Sequence, residues 1–300
     1  MRKIFSFFWL FIFLVACNRF SSNLPIETTS EGEINISIEE SFKPFMEEQL
    51  QVFSSSYPKA KIHVSYKSEI ECLKDFATDS TRMIIITRGL EKSEQEGFKN
   101  QLGFAPTFGI LAYNAIAVLL HKSATDSLFT LQQLANKLKG MDPLEVVMDG
   151  NNLTGVNRFL KDSLLKQSAF GKNVHGANGS DEVITYIKSH PNAIGFLGLN
   201  WVGDTYDRKQ VENQKQVKTA MVECTLCAEK GIFAQPSQAT IGKGQYSLSL
   251  PIYYILKENA PGLGSGFLNF LSLERGQLIF RRAFLVPAKM GFQKRNGLLN

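Results

Sequence analysis

The sequence predicts an α/β protein of two lobes, with mainly parallel sheets and two strands that cross between the lobes. Two observations support this prediction. Over residues 33–101, strand-like apolar segments alternate with helix-like segments in the order β-α-β-α-β-α, which is typical of a parallel sheet. Two unusually long strand-like segments, 104–121 and 246–256, then flank a second set of short strands and helices. We therefore expect a ligand cleft between the two lobes.

The spacing of apolar residues predicts each element in the first half of the chain. Residues 33–38 and 61–66 alternate between apolar and polar side chains, whereas residues 83–86 form a continuous apolar run. Such a run is expected of a central strand that is covered on both faces. Ser41 is placed to cap the helix that follows the first strand. The remaining elements of this half are a helix at 69–77, a helix at 91–101 and the long strand at 104–121.

Shorter elements between polar loops are predicted in the second half. Strands are predicted at 145–148, 193–197, 217–222 and 246–256. Helices are predicted at 131–138, from the 149–152 loop to about 166, at 181–189, at 264–271 and at 274–282. Residues 233–244 are predicted to form a loop. Pro251 has no amide hydrogen, so the second long strand requires an edge or a bulge at that point.

The N-terminus has the three parts of a secretory signal. Arg2 and Lys3 are basic, residues 4–15 are almost entirely apolar, and Ala16 is a small residue at the expected cleavage point. The apolar run is too short to span a bilayer as a helix, which takes about 20 residues. Residues 14–17 resemble the lipobox of bacterial lipoproteins, which implies that Cys17 is lipidated and anchors the exported protein to a membrane. The alternative is an ordinary signal with a chance cysteine.

These observations give a domain organisation. We expect a signal peptide at 1–16, a lipidated flexible tether at 17–32, one lobe at 33–112 and 257–300, and the other lobe at 113–256. The chain is expected to be monomeric and to face the periplasm or the cell exterior.

Composition excludes some classes of function. With 44% hydrophobic and 20% charged residues the chain can build a large core, and its net charge of +5 is too small to indicate nucleic-acid binding. Cys72 is expected to be a buried apolar side chain. Cys224 and Cys227 could form a local disulfide or remain inert thiols, and a metal or redox role is the weaker alternative.

No catalytic motif is present in the sequence. The four histidines are dispersed, and the chain contains no H-E-x-x-H, G-x-S-x-G or Walker motif. We therefore expect a binding protein, without a cofactor or a metal, and not an enzyme.

Three segments favour an anion site. Thr87 and Arg88 directly follow the apolar strand, and Thr154 and Gly155 begin a helix whose free amide groups suit an oxyanion. Ser41 stands in the same way at the start of the first helix. The alternative interpretation is that the hydroxyls are only helix caps and that Arg88 is a solvated charge or forms a salt bridge.

Several segments resemble the phosphate-binding (PstS-like) solute-binding proteins of ABC importers. These segments are 110–122, 131–134, 191–198, 246–254, 266–278 and 284–287. The resemblance implies the type II periplasmic-binding-protein fold, in which two lobes close on a ligand. It also implies an interlobe site for phosphate or a similar oxyanion, delivery to an ABC importer, and Ser41, Ser68, Thr87, Arg88, Thr154 and Gly155 as ligand-binding residues.

The expected ligand loops depart from that family. Glu39 and Glu40 stand where the family has a Gly-Ser-Ser-Thr loop, and Arg82 replaces the family's Asp in the third strand. Carboxylates beside an anion oppose its binding by like charge. These departures favour the alternative of a sensor or scaffold lipoprotein with a different ligand or a protein partner.

Overall fold

The computed structural model describes residues 27–78, 80–150 and 154–289. The predicted signal peptide and Cys17 lie outside the described residues, as does most of the predicted tether. At the described end of that tether, the Glu27 carboxylate pairs with Arg82 and accepts a hydrogen bond from the Leu263 amide. This end is therefore held against the folded body.

The described residues contain the following strands. They are β1 (Gly32–Glu39), β2 (Ala60–Lys67), β3 (Thr81–Ile86), β4 (Thr107–His121), β5 (Leu128–Phe129), β6 (Glu145–Asp149), β7 (Val174–Ala177), β8 (Ala193–Gly198), β9 (Val217–Thr219), β10 (Met221–Glu223), β11 (Phe233–Ala234), β12 (Ser249–Leu256) and β13 (Val286–Pro287).

The α-helices of the same residues are α1 (Lys43–Ser56), α2 (Glu69–Phe76), α3 (Lys92–Leu102), α4 (Leu131–Leu138), α5 (Gly155–Ser163), α6 (Ser180–Ser189), α7 (Arg208–Gln214), α8 (Gln238–Gly242), α9 (Leu263–Ser272) and α10 (Glu274–Arg282). Short 3-10 turns lie at Glu40–Phe42 and Leu199–Trp201.

A single mixed sheet runs through the molecule in the order β2-β1-β3-β12-β4-β8-β6-β7, with β9 and β13 paired to β4. Strands β2, β1 and β3 pair in parallel, as do β7, β6 and β8. Strand β12 is antiparallel to both β3 and β4, and β4 is antiparallel to β8. The α/β class is confirmed, and every antiparallel pair described in this sheet involves β4 or β12, the strands at the crossing between the two parallel units.

Strand β4 is long because it belongs to both parallel units. Residues 107–115 pair with β12, and residues 116–120 pair with β8. The predicted crossing strand is therefore present. The second predicted crossing strand is shorter than expected, because Tyr246 lies before β12 and its hydroxyl donates to the Ile116 carbonyl. Pro251 precedes a register shift between Ile252 and Tyr253, consistent with the bulge that its missing amide hydrogen requires.

Each parallel unit surrounds its own apolar core. The first lobe is built around residues such as Ile36 and Phe267, and the second around residues such as Val118 and Phe196. Ile252 and Leu256 of β12 pack into the first core. This placement differs from the expected lobe boundary, which put residues up to 256 in the second lobe.

Local interpretations were corrected at three places. Ser41 does not cap α1, because a 3-10 turn precedes the helix and the N-cap is Phe42. The predicted strand at 217–222 is two strands, since β9 pairs with β4 whereas β10 pairs with β5 and β11. The predicted loop at 233–244 contains β11 and α8.

The cysteines adopt the bridged alternative. Cys224 and Cys227 form a disulfide directly after β10, whereas Cys72 is a fully buried free thiol. Burial raises the pKa of the Cys72 thiol, so Cys72 packs as an apolar side chain. None of the helices in the described ranges is long and apolar enough to cross a membrane.

Candidate anion site between the lobes

Three loops of the first lobe meet the start of α5 in the second lobe. Glu39 ends β1, Glu69 begins α2 after β2, and Thr87 directly follows β3. Because β2, β1 and β3 are parallel neighbours, their carboxyl ends lie at one edge of the sheet. Gly155 is the first residue of α5, so its amide belongs to a helix N-terminus, which carries a partial positive charge.

Thr154 builds the helix start as the sequence predicts. Its side chain accepts a hydrogen bond from the Asn157 amide and donates one to the Asp149 carbonyl at the end of β6. This cap fixes the first turn of α5 and leaves the Gly155 amide directed toward the first lobe, where it bonds Glu39.

The Glu39 carboxyl group lies at that helix start. Its Oε1 accepts a hydrogen bond of 3.0 Å from the Gly155 amide and one of 3.2 Å from the Ser41 hydroxyl. The side chain is fully buried. Its Oε2 has no hydrogen-bond partner within the described part of the chain. Glu39 therefore connects the two lobes, because its carboxyl group accepts one hydrogen bond from Ser41 in the first lobe and one from Gly155 in the second.

Glu69 forms a second connection between the lobes. Its carboxylate accepts hydrogen bonds from the Thr87 amide, at 3.0 Å, and from the Thr87 hydroxyl. Arg158, one turn into α5, places its Nε 2.5 Å from Glu69 Oε1 and its second guanidinium nitrogen 2.9 Å from Thr87 Oγ1. Glu69 is 2% exposed, so the carboxylate of this ion pair is shielded from water, whereas the Arg158 side chain is partly exposed.

The lobes are in direct contact at this point. A Cβ atom added to Gly155 would lie 2.2 Å from Thr87 Oγ1 and 2.8 Å from Glu39 Oε2. Only glycine fits here, and a further group at the helix start would have to replace the Glu39 carboxyl. Nearby, Asn200 and Trp201 both donate hydrogen bonds to the Ser41 carbonyl, which adds a third connection between the lobes.

Burial controls the protonation of two carboxyl groups in this region. Desolvation, and then the charge of Glu69, raise the pKa of Glu39 from 4.5 to about 8, although the Gly155 and Ser41 hydrogen bonds oppose the change. Burial likewise raises the pKa of Asp149 to about 6, against the hydrogen bond that it accepts from Ser180. Glu39 therefore retains its proton near neutral pH and can offer a hydrogen-bond donor.

The structure brings together some of the predicted ligand-binding residues. Ser41, Thr87 and Gly155 converge on the two carboxyl groups, and Thr154 supports them as a helix cap. Ser68 does not join them, because its side chain caps α2 and bonds Glu71.

Arg88 departs from the prediction as well. It was expected to point into the cleft, but its guanidinium forms two hydrogen bonds of 2.7 Å with Glu94 and one of 2.9 Å with the Gly89 carbonyl. The Glu94 hydrogen bond raises the pKa of Arg88 further, so Arg88 stays a cation in the loop before α3. The salt bridge with Glu94, six residues further along the chain, therefore satisfies the Arg88 guanidinium.

The sequence interpretation missed Arg158 as the cation of the site. One signal could have identified it: Arg158 stands four residues after the Thr154 cap, so one helical turn brings it to the same side of α5. The sequence interpretation also treated Glu39 only as a source of repulsion. In the structure its carboxyl group accepts hydrogen bonds from Ser41 and Gly155.

Several cavities lie in the part of the chain that the structure describes. One of about 540 Å³ opens beside Glu69 and Arg158 and is also lined by Lys161, Asn157 and Phe170. A larger one of about 1160 Å³ lies near the crossing strands. Its lining is mostly apolar or uncharged, so it lacks the convergent donors of the candidate anion site. No group of three or more metal-ligating side chains occurs in residues 27–78, 80–150 and 154–289.

Comparison with known proteins agrees with the two-lobed α/β fold described above. A family model described as a PBP superfamily domain matches residues 25–274. The phosphate-binding protein PstS of Pseudomonas aeruginosa is 21% identical over 261 residues, covering 77% of this chain and 75% of that protein.

Solved structures agree with this match. A substrate-binding protein of Clostridium perfringens, assigned to phosphate transport and solved with bound phosphate, superposes with a TM-score of 0.68 at 19% identity, covering 86% of this chain and all of that one. An ABC-type phosphate transport receptor of Vibrio cholerae gives a TM-score of 0.65 at 17% identity, with 85% and 100% covered. At these identities the likeness concerns the fold.

Proposed function

The chain belongs to the PBP superfamily, and from that premise we propose that it is a solute-binding protein that captures a small oxyanion between its lobes. Phosphate is the first candidate, because the named relatives include phosphate-binding proteins. The captured anion would be delivered to an ABC importer. Binding and closure of the lobes suffice for this role, and no chemical step is required.

One observation carries the proposal: hydrogen-bond donors from both lobes converge on the same place. The Gly155 amide, the Ser41 hydroxyl, the Thr87 amide and the Arg158 guanidinium all point at carboxyl oxygens. A carboxylate and a phosphate present similar oxygen acceptors, and both suit a helix N-terminus and an arginine. The donors thus form a site for acceptor oxygens, which the carboxyl groups of Glu39 and Glu69 occupy in this structure.

We further propose that the protein is exported and held on a membrane by a lipid on Cys17. The basic, apolar and small-residue parts of residues 1–17 support this proposal. A monomer is sufficient, because donors from the two lobes of one chain complete the site.

A screen of purified protein tests the proposed function. Thermal unfolding would be followed with phosphate, sulfate, molybdate and simple organic acids, and a ligand at 100 times its Kd should stabilise the protein by about 2.7 kcal/mol. Stabilisation by phosphate or another oxyanion supports the proposal. No stabilisation by any of these anions would contradict it.

A sensor or scaffold lipoprotein is the second candidate. The observation that favours it is the contact of Glu39 with Gly155, which joins the lobes through the chain's own side chain. In that role the joined lobes would present a surface to another ligand or a protein partner, and the anion screen would give no stabilisation.

A further inference from the structure

We infer that Glu39 is an internal ligand of the anion site: its carboxyl group holds the two lobes together, and an external oxyanion binds by displacing it. The first half of this inference concerns the closed lobes alone. The second half rests on the proposed function and specifies which residue sets the affinity for the anion.

The Glu39 carboxyl group lies between the two lobes. Glu39 lies at the end of β1 in the first lobe. Its Oε1 accepts a hydrogen bond of 3.0 Å from the Gly155 amide at the start of α5 in the second lobe. A ligand that closes two lobes makes the same kind of connection, because it bonds donors from both. Glu39 therefore occupies the place of a bridging oxyanion oxygen.

The helix start at Gly155 is tightly packed against the first lobe. The space at the helix start cannot hold even one additional carbon atom, since a Cβ on Gly155 would lie 2.2 Å from Thr87 Oγ1 and 2.8 Å from Glu39 Oε2. An external anion that reaches the Gly155 amide must therefore move the Glu39 side chain away. The two occupants exclude each other, so their binding is competitive.

The hydrogen bonding of the Glu39 carboxyl group is incomplete within the described residues. Buried polar groups in stable cores are almost always fully hydrogen-bonded, because each unsatisfied one costs about 1–3 kcal/mol. Glu39 Oε2 is buried without a hydrogen-bond partner in the described ranges. The negative charge of Glu69 also disfavours the ionised form of Glu39 and so raises its pKa. An occupant that is held by Oε1 alone is suited to displacement by an anion that engages more of the available donors.

Interlobe distance tests the first half without any ligand. Spin labels would be placed on Ser54→Cys in α1 and Thr185→Cys in α6, both exposed helix positions, and distances measured by electron–electron resonance. Glu39→Ala should shift the distribution to longer distances, while Glu48→Ala, which removes an exposed carboxylate of α1 in the same lobe, should match the unsubstituted protein. Gly155→Ala should also lengthen the distance, because its methyl group would collide with Thr87. An unchanged distance in Glu39→Ala would overturn the inference, and Gly155→Ala shows that the labels report a separation of the lobes.

Anion titration tests the second half. Calorimetry with inorganic phosphate should give at least about tenfold tighter binding for Glu39→Ala than for the unsubstituted protein, and no change for Glu48→Ala, which removes an exposed carboxylate of α1 outside the site. Equal or weaker binding by Glu39→Ala would overturn the displacement. If none of the three proteins binds phosphate, sulfate, molybdate or the simple organic acids, the proposed function fails and displacement fails with it, while the distance measurement still decides whether Glu39 closes the lobes.

Discussion

Arg158 in the first turn of α5 forms an ion pair with Glu69 at the start of α2, with Arg158 Nε 2.5 Å from Glu69 Oε1. The pair joins the two lobes, and the same guanidinium also donates to the Thr87 hydroxyl. Arg158 is therefore a positive charge at the start of α5 that bonds both Glu69 and Thr87 of the first lobe. Arg88, which the sequence suggested for this role, is paired with Glu94 instead.

The first prediction compares these two arginines. Arg158→Ala should weaken phosphate binding by about ten- to a hundredfold, because a hydrogen bond to a charged group contributes about 1.5–3 kcal/mol. Arg88→Ala is the matched control, since it also removes a partly buried, ion-paired arginine, and it should leave the affinity nearly unchanged. Calorimetric titration of both variants decides the assignment. Weaker binding by Arg88→Ala with normal binding by Arg158→Ala would restore the interpretation from sequence.

The fold could be predicted from the sequence to a large extent because its signals are local. The apolar run at 83–86 and the unusually long segment at 104–121 indicated a covered central strand and a crossing strand, and both are present as β3 and β4. Two of the shortest elements, β11 and α8, were missed because they are too short to show a period.

The candidate site was less predictable because it depends on pairing between distant residues. The order of strands placed Thr87 and Gly155 near the cleft, and a helix start is visible in sequence. Whether Arg88 turns toward the cleft or toward Glu94 depends on side-chain competition within one loop, which spacing does not specify. The partnership of Glu69 with Arg158 spans 89 residues and becomes visible only when the lobes meet.

The second prediction concerns the disulfide. Cys224 and Cys227 enclose a loop of only four residues, so the bridge should stabilise the fold by about 2 kcal/mol or less through loop entropy. The double variant Cys224→Ser with Cys227→Ser should therefore still unfold cooperatively. Alkylation followed by mass spectrometry should label these two positions only after reduction. Stoichiometric zinc in the purified protein, or labelling without reduction, would contradict the bridge.

The third prediction concerns membrane attachment. Cys17→Ser should abolish incorporation of labelled palmitate, because the thiol is the proposed site of the lipid, and the protein should shift from the membrane to the soluble fraction. Cys72→Ser is the control, since Cys72 is buried in the first lobe and should not affect labelling. Equal label in Cys17→Ser and the unsubstituted protein would exclude lipidation at this residue.

The fourth prediction is that the stability of the fold depends on the protonation of Glu39. In the unfolded chain this side chain loses its proton near its ordinary pKa of 4.5, whereas in the folded protein burial and the charge of Glu69 raise the pKa to about 8. Between these values the folded state binds more protons than the unfolded state. The contribution of Glu39 to stability is therefore fully present below pH 4.5, decreases as the pH rises toward 8, and is lost above it.

Urea unfolding at several pH values between about 5.5 and 8.5 measures this effect, with a slope that cannot exceed about 1.4 kcal/mol per pH unit for one group. Asp149, whose pKa burial raises to about 6, adds a decrease in the same direction, but only in the lower part of the range. Glu39→Gln keeps the size of the side chain and an oxygen for the Gly155 amide, yet it cannot ionise. Its free energy of unfolding should therefore change much less between neutral and alkaline pH, where Asp149 is already ionised. Parallel curves for Glu39→Gln and the unsubstituted protein above neutral pH would show that Glu39 does not hold its proton in the folded state.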